Sequence, residues 1–415
     1  MSIEVKEPAG YLLLLSPAIR HLGIAFDHSI VKAHDNMYVY QRDPEAAAVL
    51  LPVVISKVPL LSELCIDGGL EQLPSPLLEP LARLTQLQSL TLMYSGTAED
   101  LSTVVILSRL PLLHSLDISV HFQTGKVSGK PFSGAFHTLR ELNVRGRLDD
   151  IVQLFETFTF ESLDTKLRVQ VVNTPADSTL KDQFSRIASK LRRDIRTLEL
   201  FFTDRILSSN RTYPLAELFA PCLALRYLTT VYLQFAVHVP HITDDDLASF
   251  ASAWPKLEHL VIGYPSHGFH GIRRMDDPTQ PTLGALFPFA QHCPDLYSLF
   301  IPLIDVTTIP PVQSIPAVGH KALKHLRILA FQGWISANPI DIAVVIDILF
   351  PTLHTIRDFT PLSLIHGGMD AELNFWQLIQ MLLATMQTRR EIEGLNVSSR
   401  SHEQEGVEQG DDGTP

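Results

Sequence analysis

His267, His270, Asp276 and Asp277 crowd into the polar stretch between Pro265 and Pro281. Imidazoles and carboxylates are the groups that hold a divalent metal or carry a proton. Such sites need their ligands held in a fixed geometry, and nothing in the spacing of these four fixes theirs. The stretch therefore reads as a long solvated loop, with partner contact as its functional alternative. Elsewhere the chain has no H-E-x-x-H, no phosphate-binding P-loop, no G-x-G-x-x-G after a strand and no G-x-S-x-G turn. Cys65, Cys222 and Cys293 show no C-x-x-C spacing and read as reduced thiols of a cytoplasmic or nuclear protein. Of the 17 histidines, His114, His137, His259, His325 and His354 fall beside strand patterns, where an edge polar residue is ordinary. The expectation is a protein with no catalytic residue, no metal and no cofactor.

Charge and hydropathy narrow the class further. A formal net charge of −12 argues against general nucleic-acid binding, which needs a basic face. The basic run Lys181, Arg186, Lys190, Arg192, Arg193 and Arg196 lies on or after an amphipathic helix and reads as its solvated side. No apolar run reaches the length of a membrane span, since Ile340 to Phe350 already contains Asp341 and Asp347. Neither nucleic acid nor a membrane is an expected partner. The N-terminus has no basic start followed by an apolar stretch, so no secretory signal is read there.

The elements that position these residues show in a repeat. Leu61 to Ile66, Leu87 to Leu92, Leu113 to Ile118 and Leu139 to Val144 all spell L-x-x-L-x-[LIV], and their last apolar residues fall 26 apart. In L-x-L the two apolar side chains lie on one face of a strand and their neighbours on the other. A period in the twenties with this pattern marks a leucine-rich-repeat solenoid, in which each repeat covers the apolar face of the next. The fold class expected is therefore α/β: a curved solenoid with short parallel strands inside and helices outside. Markers continue at Val169, Leu200, Leu233, Ile262, Ile301 and Phe331 with longer, uneven steps.

A second regularity stops each helix. Pro59, Pro111, Pro255, Pro294 and Pro351 each stand two residues before a repeat leucine, and proline disfavours helix in the residue ahead of it. Helices are expected at Glu45 to Val58, Ala98 to Arg109, Leu148 to Phe158, Thr179 to Leu191, Asp244 to Ala253 with Thr243 as N-cap, Leu283 to His292 and Ile340 to Phe350. Residues 1–18 form a lead-in, 19–368 the solenoid, 369–395 a helical cap and 396–415 a disordered acidic tail.

Strand alternation then selects the residues that face away from the core. These are Glu141, Asn143 and Arg145, then Lys166 and Arg168, then Glu199 and Phe201, then Tyr232, and later Phe300. Charges gather in the middle and aromatics later. Aromatic side chains beside arginine are typical binding hot spots, so this concave face is the candidate protein-binding site.

Trp254-Pro-Lys-Leu257-Glu-His-Leu260 and Cys293-Pro-Asp-Leu296-Tyr-Ser-Leu299, each after a helix, resemble the leucine-rich repeats of F-box proteins, and the style is similar to the large fungal set. The resemblance spans roughly Ile19 to Ile356. It implies the substrate-binding part of a ubiquitin-ligase receptor, which joins a Skp-type adaptor and a cullin through an F-box. Two departures stand against the pattern. Positions that usually carry a buried Asn or Cys hold Gly69, Ser95, His121, Arg147, Thr203 and Pro265, which predicts an irregular solenoid. The 18 residues before Ile19 leave no space for an F-box, and Leu73 to Leu81, broken by Pro76 and Pro80, reads as the helical side of a repeat. A free-standing scaffold or inhibitor is the alternative.

Overall fold

The computed structural model describes residues 2–5, 15–26, 29–32, 38–41, 44–67, 79–93, 97–98, 101–122, 132, 135–172, 177–203, 214–235, 241–263, 280–315, 320, 322–332, 335–353, 375–390 and 392. The chain divides into two compact units, one of Met1–Pro240 with His267–Gly271, the other of His241–Ser266 with Ile272–Pro415.

The first unit is a parallel sheet with helices between its strands. β1 (Ser2–Val5), β2 (His21–Phe26), β5 (Glu63–Asp67), β6 (Ser89–Met93), β8 (Ser115–Val120), β9 (Glu141–Gly146), β10 (Lys166–Val171), β11 (Thr197–Phe202) and β12 (Thr230–Phe235) pair in that order. β3 (Ser29–Lys32) and β4 (Tyr38–Gln41) form a separate antiparallel pair, and the short β7 (Thr97–Ala98) pairs with β8. The lead-in thus carries a strand that the repeat pattern did not announce, because Ser2–Val5 has no leucine signature and is placed only by pairing with β2.

Register follows the repeat. Leu22, Leu64, Leu90, Leu116, Leu142, Leu167, Leu198 and Val231 are successive partners across the sheet, each at most 3% exposed. The repeat leucine at each strand entry, Leu61, Leu87, Leu113 and Leu139 among them, is buried in the same layer. Helices Pro44–Lys57, Leu101–Ser108, Leu148–Thr157 and Asp177–Ala188 lie where the 3.6 spacing predicts, and Pro59 and Pro111 sit in the turns that end two of these segments.

The missing Asn ladder has a backbone substitute. At the entry of several strands one carbonyl accepts two successive amides of the next repeat: Arg20 O from Ser62 and Glu63, Ser62 O from Gln88 and Ser89, Gln88 O from His114 and Ser115, His114 O from Arg140 and Glu141. Arg196 O does the same for Thr229 and Thr230. Hydroxyls add to it, with Thr138 Oγ1 donating to Leu113 O at 2.9 Å and Thr203 Oγ1 to Val171 O at 3.0 Å. Carbonyls that would otherwise be orphaned are satisfied from repeat to repeat, which fixes register without a side-chain amide.

The second unit repeats the grammar with β13 (His259–Gly263), β14 (Ser298–Asp305) and β15 (His325–Gln332) in parallel. Thr243 caps helix Asp244–Ala253 through a reciprocal box: its hydroxyl accepts from the Asp246 amide at 3.1 Å, and Asp246 Oδ2 accepts from the Thr243 amide at 2.8 Å. A 3-10 turn at Leu283–Leu286 precedes helix Phe287–His292, and Pro339–Leu349 is capped by Asn338. Glu258 O and Tyr297 O each accept two amides of the next repeat here too. His320, missed by the repeat reading, is a buried tie: its Nδ1 accepts from the Leu323 amide at 3.2 Å while Nε2 meets Cys293 O at 2.6 Å. Helix 375–390 buries Trp376, Ile379 and Leu383, and Arg390 pairs with Asp347. The acidic tail and most of the Pro265 to Pro281 loop, with its histidines and aspartates, lie outside the described residues. No helix among the described residues is long and apolar enough to cross a membrane. Each unit thus has the α/β leucine-rich-repeat architecture, short parallel strands in register with helices between them.

Candidate functional site: the outward face of the strands

Burial alternates along β8, β9, β10 and β12, so every second side chain points away from the core. Parallel pairing in register stacks these outward residues into ranks about 4.8 Å apart. The middle rank runs Asp117, Asn143, Arg168, Glu199, Tyr232, and the next runs Ser119, Arg145, Gln170, Phe201, Gln234. Glu141 and Lys166 belong to a third rank at the strand entries. The sequence-selected residues of this unit are therefore brought together on four adjacent strands, β9 to β12.

Neighbours in the ranks are bonded to each other. Asn143 Nδ2 donates to Asp117 Oδ2 at 2.6 Å, and Arg145 Nε donates to Gln170 Oε1 at 2.9 Å. Lys166 Nζ lies 2.7 Å and Arg168 Nε 3.5 Å from the two oxygens of Glu199. Arg168 also lies over Phe201, its guanidinium carbon 4.2 Å from the ring centroid, a cation–π arrangement. Burial pushes the Asp117 carboxyl above its ordinary range, against the pull of Asn143, Arg145 and Arg168.

Glu199 departs from the sequence expectation. It occupies an outward register position but is only 8% exposed, because Lys166, Arg168 and their stems cover it. Phe201 and Tyr232 are half-buried on the same side, and Glu141 is exposed. In the second unit Phe300 takes the outward position opposite Val261 and Arg327, and the Arg327 guanidinium stands over its ring at 5.0 Å. Arg327, exposed between buried Leu326 and Ile328, follows the same alternation, although the sequence selection above did not include it.

The arrangement can donate and accept hydrogen bonds and stack planar groups at fixed spacing. Among the described residues no group of three His, Cys, Asp or Glu side chains is placed to hold a metal ion. The basic run on the helical side is exposed and partly ion-paired, Lys181 with Glu217 at 3.0 Å and Arg186 with Glu156 at 2.7 Å.

No family model matches the chain, and no curated protein matches it. Among solved structures it is similar to a chain of the crystal structure of the Rad7 and Elc1 complex in yeast, at 15% identity and a TM-score of 0.42, over 83% of this chain and 77% of that one. It is also similar to the leucine-rich repeat-containing protein LegL7 from Legionella pneumophila, at 13% identity and a TM-score of 0.38, over 85% of this chain and all of that one.

Proposed function

We propose that the chain is a non-enzymatic protein-recognition module that binds its partner through the outward face of β8 to β12. Arg168 carries this reading. Its guanidinium is held by stacking on Phe201, 4.2 Å from the ring centroid, and by the ion pair of Nε with Glu199 Oε2 at 3.5 Å. A pre-ordered arginine on an aromatic ring loses little entropy when a partner arrives.

The test places a photo-crosslinking residue at Gln170 or Gln234 in the full chain, with Lys181 on the helical side as the control. The expected result is one shared adduct from the two strand positions, lost when Arg145 and Arg168 are both reversed to Glu with the melting temperature unchanged. Adducts from Lys181 alone would move the site to the helices.

The finer reading is the substrate-binding part of an F-box-type receptor of the cytoplasm or nucleus, supported by the repeats at Trp254 and Cys293. It expects a Skp-type adaptor and a cullin in stoichiometric amounts with the tagged chain. Their absence beside another reproducible partner makes the protein a free-standing scaffold or inhibitor.

A further inference from the structure

Helix 375–390 of the second unit has two unlike sides. Trp376, Ile379 and Leu383 are buried on the inner one. On the outer side Leu378 is 44% exposed, Met381 68% and, beyond residue 390, Ile392 54%. With Thr385 and Thr388, both exposed, these residues stand at alternating steps of three and four. That is the 3.5-residue period of a seam that packs on another helix.

The two threonines belong to the apolar stripe. Thr385 Oγ1 donates to Met381 O and Thr388 Oγ1 to Ala384 O, each at 2.8 Å, one turn back in the same helix. Their hydroxyls are thereby satisfied, which leaves the methyl groups for apolar contact. Solvent alone does not account for such a side. From Phe375 to Thr388 the helix has no charged residue, whereas the solvated side of helix Asp177–Ala188 carries Lys181, Asp182 and Arg186.

The stripe is complementary to itself. Its first half carries the long side chains of Leu378 and Met381, and its second half borders a hollow of about 550 Å³ lined by Ala384, Thr385, Thr388, Arg389 and Ile392. Turned end for end about Leu383, a second helix sets its Met381 against Thr385 and its Leu378 against Thr388, and receives the same in return. Each pair of long side chains then enters the other copy's hollow. Charge selects the same orientation. In the antiparallel pair the two Arg389 residues lie about 18 Å apart along the seam, whereas a parallel pair would bring them face to face.

Area sets the strength. Covering half the girth of a helix about 12 Å across, over about 27 Å of length, takes roughly 500 Å² from each copy. The total of about 1,000 Å² is at the lower limit for a specific interface, so the pair is expected to be weak.

We propose that the outer side of helix 375–390 is a homodimer surface, on which two copies of the chain meet antiparallel through Leu378, Met381, Thr385 and Thr388. None of these residues belongs to the recognition face around Arg168, so the two surfaces are tested separately.

Sedimentation equilibrium of the full chain from about 1 to 200 µM should show monomer and dimer with a dissociation constant in the micromolar range. Leu378→Glu and Met381→Glu should each raise that constant about ten-fold or more, while Arg168→Glu leaves it unchanged. Circular dichroism melts check that each variant is folded. Orientation is read by disulfide trapping in a Cys65→Ser background. Met381→Cys mixed with Thr385→Cys should give a covalent dimer of the two variants in greater yield than either variant gives alone. A chain that stays monomeric across the range, or a dimer indifferent to both Glu variants, would overturn the proposal. Stronger trapping of Met381→Cys alone than of the mixture would overturn it too, by showing the helices parallel.

Discussion

The Lys166 ammonium lies 2.7 Å from Glu199 Oε1, and the carboxylate it meets is almost wholly buried on a face that otherwise meets solvent. A carboxylate so covered depends on its cations, since it has given up most of its water. Glu199→Gln leaves Lys166 and Arg168 facing a neutral amide. Both cations are about one-third exposed and regain water, so the expected loss is about 1 to 2 kcal/mol rather than the larger cost of a fully buried pair. Urea unfolding of the variant checks this. An unchanged midpoint would mean that the three groups are bystanders.

In the second unit, His320 joins three segments of chain. Its ring accepts from the Leu323 amide and meets Cys293 O, and its own amide donates to Leu349 O at 2.9 Å. With Nδ1 accepting, the proton sits on Nε2, and the neutral tautomer satisfies both partners. His320→Ala strands a buried amide and a buried carbonyl, which should cost about 2 to 4 kcal/mol. Hydrogen exchange at Leu323 is the readout, and an unchanged exchange rate there would refute the tie.

Why His320 escaped a sequence reading while Leu142 did not is a matter of periodicity. Leu142 stands two residues from an apolar partner, Val144, and 26 from its counterpart Leu116 in the repeat before, so a single physical rule places it. His320 follows Pro316-Ala-Val-Gly, which has no strand or helix period, and only the meeting of three segments gives it a role. The outward residues fall between these cases. Alternation put Arg168 and Phe201 on one side, yet the burial of Glu199 depends on which way two long side chains lie, and spacing does not encode that. Tyr297 was legible in part: it stands in the L-x-x-L stretch beside the strand, but its edge contacts with His259 and His325 need the register of three strands.

Asp150 makes stability depend on pH. It lies in the first turn of helix Leu148–Thr157, where burial raises its carboxyl above the usual 3.8 and His121, Arg147 and Phe122 draw it the other way. Below 3.8 the folded and unfolded forms are both protonated and the group contributes nothing. As pH rises, the unfolded chain releases its proton first and binds fewer, so stability falls until the folded carboxyl has also ionised, and the cost then persists to neutrality. Asp150→Asn removes that titration at nearly constant shape. The variant should gain on the wild type between pH 4 and pH 7 and match it near pH 3, in unfolding curves taken across this range. A wild type that gains on the variant as pH rises would show the anion to be stabilising.

Thiol chemistry separates the outward face of the sheet from the packed interior. Cys65 stands on β5 between Gly23 and Thr91, at an outward register position, and is half-buried. Cys222 and Cys293 are enclosed, at 3% and 0% exposure, and burial pushes each thiol up to about 12. Since the thiolate is the reacting form, these two resist a disulfide reagent both by access and by ionisation. In the native protein at pH 8 the expected labelling is one cysteine, Cys65, identified by peptide mass. All three should react in denaturant. Rapid native labelling of Cys222 would mean that its turn at Ala220–Ala224 opens readily, and protection of Cys65 would place β5 with the opposite face outward.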